Sequence, residues 1–265
     1  MSMLTHPEQI VNLPVWAIGL LIVGCSTLIA VVVEIIAQRI VPMAVRQDHS
    51  AAASSIFTVI GTTYAVLLAF VAMLAWEGYI KAQSATDTEA SLTHNVYQLI
   101  EGLTGPDMAS MRQGIAAYAN AVVHTEWPAQ ERGEYVAEDE PDLNAVTRTA
   151  LHLRPGNIAD GDLHTLLLSD LGQLVSARRE RLLAGRTMIP PIIWFVLVAG
   201  GGISVVFASF LGSSSLRMHL AMSTLLVISG ALVLLVILAL SNPFRGENRV
   251  TAEPFERVLT HMQQG

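Results

Sequence analysis

Four long runs almost free of charge constrain this chain more than anything else in it. They are Val15–Ala37, Ile56–Trp76, Ile189–Leu211 and Leu220–Leu240. The first carries one acid, Glu34, and the other three contain no Asp, Glu, Lys, Arg or His. About 20 helical residues at 1.5 Å each span a hydrocarbon core of ~30 Å, so each run is long enough to cross a bilayer. One such run could be a buried helix of a soluble protein; four in one chain are not expected there. Charged residues are 14% of the sequence, against about a quarter in soluble domains. Residues 1–14 have no Lys or Arg, so the first run lacks the basic flank of a cleaved signal and is expected to be a retained helix.

The fold class that follows is all-α: a polytopic membrane protein with four transmembrane helices and a helical cytosolic domain between helices 2 and 3. The expected division is 1–80 for an N-terminal tail with helices 1 and 2, 81–188 for the helical domain, 189–241 for helices 3 and 4, and 242–265 for a cytosolic C-terminal tail. Four crossings put both termini and residues 81–188 on one face. Near the membrane that face carries Lys81, Arg178, Arg179, Arg181, Arg186, Arg245, Arg249 and Arg257, against Arg39, Arg46 and Arg217 on the other. Positive charge marks the cytoplasmic side, so the large segment is assigned to the cytoplasm.

Within 81–188 the apolar spacing is helical. Leu92, Val96, Leu99 and Leu103 form one stripe, continuing from the second crossing until Gly105-Pro106. Met108, Met111, Ile115, Tyr118 and Val122 form another, expected to end at Trp127-Pro128. Pro141 is placed to open a helix carrying Leu143 and Val146. Leu163, Leu167, Leu171, Leu174 and Leu182 mark the last helix before the membrane. This segment holds nine basic residues against fifteen acidic ones, most of the chain's net charge of −7. An acidic surface with no basic aromatic patch argues against nucleic acid.

No phosphate-binding glycine loop, HExxH, nucleophile elbow or CxxC is present, so no enzyme is expected. His124 and Glu126 are two positions apart, and His152 and His164 are separated by a Pro-Gly break. No metal site and no cofactor are expected. Cys25, the only cysteine, lies in an apolar run, where it serves as a small hydrophobe.

The second crossing carries the most information. Thr58, Thr62, Ala65, Ala69 and Ala72 line one side, and small residues let membrane helices approach closely. Beside them run Val59, Thr63, Val66, Phe70, Met73 and Glu77 at 4-3-4-3-4 spacing. This stripe either lines a narrow, hydrophobically gated pore or faces lipid or a neighbouring helix. In the third crossing Gly200, Ser204, Ala208 and Gly212 recur every four residues, a helix-packing face. Glu34, about a turn from Gln38 and Arg39, is expected to pair with Arg39 or snorkel to the interface. Arg178, Arg179, Arg181 and Arg186 precede the third crossing, where they are expected to fix topology and meet lipid headgroups, with acids of a neighbouring helix as further partners.

Gly61-x-x-Tyr64-Ala65-x-Leu67-Leu68-Ala69-Phe70-Val71, then Trp76-x-x-Tyr79 and Glu89-Ala90, resembles the second-helix signature of bacterial bestrophin-like membrane proteins, long catalogued as a domain of unknown function. Tyr118, Glu126-Trp127, Arg178-Arg179-x-Arg181-Leu182, Pro190-x-x-Trp194 and Asn242-Pro243-Phe244-Arg245-Gly246 follow in the same order. A more distant similarity of architecture links that family to the bestrophins, homopentameric anion channels whose pore is lined by the second helix. Where they have a neck motif rich in Arg with paired Trp, this chain has Trp76-Glu77-Gly78-Tyr79.

The resemblance implies a homo-oligomer, a pentamer by analogy, in a bacterial inner membrane, with the lipid bilayer and ions as partners. The expected function is an ion channel whose pore is lined by the second helix. The alternative is a non-conducting scaffold or sensor whose cytosolic helices bind a partner.

Overall fold

A computed structural model describes residues 14–41, 46, 50–134, 136–186, 189–211 and 215–264. Residues 1–13, residues 42–45 and 47–49, and Gly212 lie outside them. Every regular element among the described residues is helical. The helices are α1 (Val15–Ile40), α2 (Ser50–Gly102), α3 (Met108–Ala121), α4 (Trp127–Glu131), α5 (Pro141–His152), α6 (Ile158–Arg186), α7 (Pro191–Ser209), α8 (Leu216–Leu240) and α9 (Glu253–Gln264). A single π-helical turn, Val122–Glu126, joins α3 to α4.

Four helical stretches are long and apolar enough to cross a membrane. These are α1, the first part of α2, α7 within the stretch Ile158–Ser209, and α8. The chain is thus an all-α polytopic membrane protein with a helical domain between its second and third crossings.

The chain divides into two compact units. One comprises residues 1–77 and 188–241, the other 78–187 and 242–265. The 53-residue helix α2 contributes its first part to one and its second part to the other.

In the membrane-spanning unit the start signals are local. Pro191 occupies the first turn of α7, where its missing N–H leaves no bond unmade. Ser215 caps α8 by accepting from the Met218 N–H. α1 packs closely on α8: a Cβ on Gly19 would lie 2.8 Å from Leu235 Cδ2. Large apolar side chains such as Trp16, Leu20 and Leu28 point outwards, as a hydrocarbon solvent allows.

The second unit has an interior of its own. Val96 and Ile100 of α2, Met111, Ile115 and Tyr118 of α3, Val146 of α5, and Leu167, Leu171 and Leu174 of α6 converge with Phe244 and Phe255. Pro141 does open α5, and the Glu140 carboxylate accepts from the Leu143 N–H. Two features differ from the sequence reading. The helix does not stop at Trp127-Pro128, because the π turn carries the Trp127 N–H to the Val122 carbonyl and Pro128 falls in the first turn of α4. The C-terminal segment is also more than a tail: α9 buries Phe255 and Val258 in the core.

Candidate functional site

α2 presents two different faces within the membrane-spanning unit. On one, Leu68, Val71 and Ala75 are buried against Leu197 of α7 and Ile237 of α8. Tyr64 sets the approach of α2 to α7. Its hydroxyl donates to the Leu197 carbonyl at 3.0 Å, and its ring lies over Gly200, where a Cβ would stand 2.7 Å from Cδ2. Only a residue without a side chain fits there. Further along α7, Ser204 and Ala208 are buried, and the Ser204 hydroxyl donates to the Gly200 carbonyl.

The opposite face carries Val59, Thr63, Val66, Phe70, Met73 and Glu77, all exposed in the single chain. At 100° per residue this stripe lies roughly half a turn of the helix wheel from Leu68 and Val71. Phe70 is 64% and Met73 60% exposed. The Thr63 hydroxyl is satisfied within its own helix by the Val59 carbonyl at 2.9 Å, so the face offers no unpaired donor there. Ala65 and Ala69, between the two faces, are exposed as well, and Ala72 is half-buried. The partner of Gly200 on α2 is therefore Tyr64 rather than the alanine stripe.

The deepest polar cluster lies in the second unit, where Arg178 and Arg181 meet acids of neighbouring elements, the further partners expected for them. Arg178 and Arg181, three apart on α6, point the same way into the interior. Arg181 is fully buried. Its Nε donates to Glu89 Oε2 at 2.6 Å, Nη2 to Glu89 Oε1 at 3.1 Å and to Glu126 Oε2 at 2.8 Å, and Nη1 to Gln130 Oε1 at 2.6 Å. Arg178 Nη1 reaches Glu126 at 2.7 Å, and its Nη2 donates to the Ala137 carbonyl. The Tyr118 hydroxyl donates to Glu89 Oε1 at 2.5 Å. The guanidinium carbons of Arg178 and Arg181 lie 5.7 and 5.4 Å from the ring centres of Tyr118 and Trp127.

Burial alone would weaken the hold of Arg181 on its proton, but Glu89 and Glu126 outweigh it and raise its pKa. Burial pushes the Tyr118 phenol well above its ordinary value, and the Glu89 carboxylate adds to the shift. Burial also raises the Glu140 carboxyl, against the opposing hydrogen bond from Leu143.

The expectation that the arginines before the third crossing meet lipid headgroups is corrected for Arg178 and Arg181. They are 3% and 0% exposed and hold acids of α2 and the π turn. Arg179 and Arg186 remain at the surface and pair with Glu138 at 3.7 and 3.5 Å. Glu34 also differs from expectation: Arg39 is exposed, whereas Glu34 is buried against His219 Nε2 at 3.1 Å, Arg46 Nη1 at 3.8 Å and Gln38 Nε2 at 2.9 Å.

The motif residues Glu89, Tyr118, Glu126, Trp127, Arg178 and Arg181 thus meet in one interior cluster, and Phe244 stacks edge-on against Trp127 at 5.5 Å. A family model described as the Bestrophin-like domain matches residues 24–255. The chain belongs to the Bestrophin-like family. Its fold is similar to solved structures of a bacterial bestrophin homolog from Klebsiella pneumoniae. One substituted variant is 15% identical with a TM-score of 0.67, covering 92% of this chain and 99% of that one. A second variant is 13% identical with a TM-score of 0.69, covering 91% and 99%. The structure determined by Zn-SAD phasing is 14% identical with a TM-score of 0.65, covering 91% and 98%. No curated protein sequence matches the chain. At these identities the likeness is one of fold.

Proposed function

We propose that this bestrophin-like chain assembles with copies of itself in a bacterial inner membrane and conducts ions along a pathway lined by α2. The supporting observation is the division of α2 into a face packed through Tyr64, Leu68, Val71 and Ala75 and an opposite face left exposed. In a ring of copies each residue of the exposed stripe becomes a ring of side chains. Phe70 and Met73 then form an apolar constriction that blocks ions by dewetting, and Glu77 places carboxylates at one mouth. Exposed Ala65 and Ala69 give neighbouring copies a surface for close approach. Five copies are expected by analogy with the bestrophins.

A carboxylate ring favours cations. Phe70→Ala should raise the conductance of purified protein in planar bilayers, and Glu77→Gln should lower its preference for cations. A wild-type current that both variants leave unaltered would move the pathway away from this stripe.

The same reading puts both termini and residues 81–188 in the cytoplasm. Alkaline phosphatase fused after Gln83 or after Gly246 should then be inactive, and activity at either point reverses the orientation.

A further inference from the structure

We propose that His94 and His261 form a two-ligand site for a borderline divalent transition-metal ion of the Zn2+, Ni2+ or Cu2+ type. His94 lies on α2 and His261 on α9, both in the second unit, with ring centroids 5.7 Å apart and ring planes at 66°. Two imidazoles that share one ion through N–metal bonds of about 2.0–2.1 Å bring their centroids to roughly 5–6 Å. The observed spacing falls in that range.

The second observation concerns the proton. His261 Nδ1 lies 2.8 Å from the Arg257 carbonyl. A carbonyl only accepts, so Nδ1 is the nitrogen that carries the hydrogen in the neutral ring, and Nε2 is the one left to bind an ion. A backbone carbonyl holding the far ring nitrogen is the usual outer support of a metal-binding histidine.

The helices that bring the rings together are anchored. On α9, Phe255 and Val258 are buried in the core, as are Val96 and Ile100 on α2. The rings themselves sit at the surface, His94 half-buried and His261 exposed, so an ion reaches them from solvent. Among the described residues no third His, Cys, Asp or Glu completes a set, so water fills the remaining positions. Imidazole with water suits Zn2+, Ni2+ and Cu2+ better than the hard cations. The two histidines lie 167 positions apart in the sequence, which is why no local spacing revealed the pair.

Calorimetric titration of the detergent-solubilised full chain with Ni2+ tests the site. His152 serves as an internal control: it makes the same bond to its own helix, Nδ1 to the Arg148 carbonyl at 2.8 Å, with no ring paired with it among the described residues. The expected result is one ion per chain, an affinity reduced at least about tenfold by His94→Ala and by His261→Gln, and no change with His152→Ala. Cu2+ bound to the wild type should show two imidazole nitrogens in its electron paramagnetic resonance spectrum. The proposal is overturned if the wild type binds no ion, if both variants bind as the wild type does, or if the copper spectrum shows a single nitrogen.

Discussion

Arg181 and Glu89 lie 92 positions apart in the sequence and meet in a forked ion pair with N–O distances of 2.6 and 3.1 Å, neither of them exposed to solvent. The pair fastens α6 to α2. Glu126 and Gln130 occupy two further directions of the same guanidinium, which fixes α4 and the π turn as well. A planar fork with five donors suits this task, and a lysine ammonium does not.

Removing one member of such a network strands the others. Arg181→Met should destabilise the second unit by about 3–5 kcal/mol, because Glu89 then lies buried without its cation while Glu126 keeps only Arg178. Arg179→Met should change stability by less than about 1 kcal/mol, since its pair with Glu138 is solvated. Thermal melting in detergent separates the two; equal losses would contradict the burial argument.

The Tyr118 phenol gives this network an alkaline limit. Its folded pKa is raised well above the ordinary 10.0, first by burial and then by Glu89. The folded state therefore favours the protonated phenol, and this contribution is complete below pH ~10. It is lost as pH rises from ~10 towards the folded value. Tyr118→Phe should flatten the fall in melting temperature above pH ~10. A parallel decline in both proteins would exclude Tyr118 as its source.

Gly200 and Tyr64 form a size-matched pair. Gly200→Ala should cost about 1–3 kcal/mol, since its Cβ would stand 2.7 Å from the Tyr64 ring. Tyr64→Ala in the same chain should return part of that loss by removing the ring. Additive losses in the double variant would mean the two residues do not meet.

Much of the architecture was legible because bilayer thickness converts apolar length directly into crossings. The helices of 81–188 were legible because Leu92, Val96, Met111, Ile115, Leu167, Leu171 and Leu174 recur at helical spacing and are all buried. The site was harder to read. Arg178 and Arg181 looked like membrane-flanking charge because their acidic partners sit on distant elements. The 3-residue spacing of the two arginines and the position of Glu89 on an otherwise apolar face were the only local hints. Glu34 was assigned to Arg39 by proximity in sequence, whereas the fold supplies His219 from α8. The C-terminal helix was missed although Phe255, Val258, Leu259 and Met262 have helical spacing, because the segment is short and polar overall.

The most direct test of the α2 pathway is water access at position 70. Phe70→Cys, in a chain also carrying Cys25→Ser and Met73→Ala, should react with a membrane-impermeant, water-soluble thiol reagent, and the reaction should reduce the current across planar bilayers. A thiol at position 70 that stays unmodified, in protein that carries no current, would contradict the pathway and leave the scaffold reading in its place.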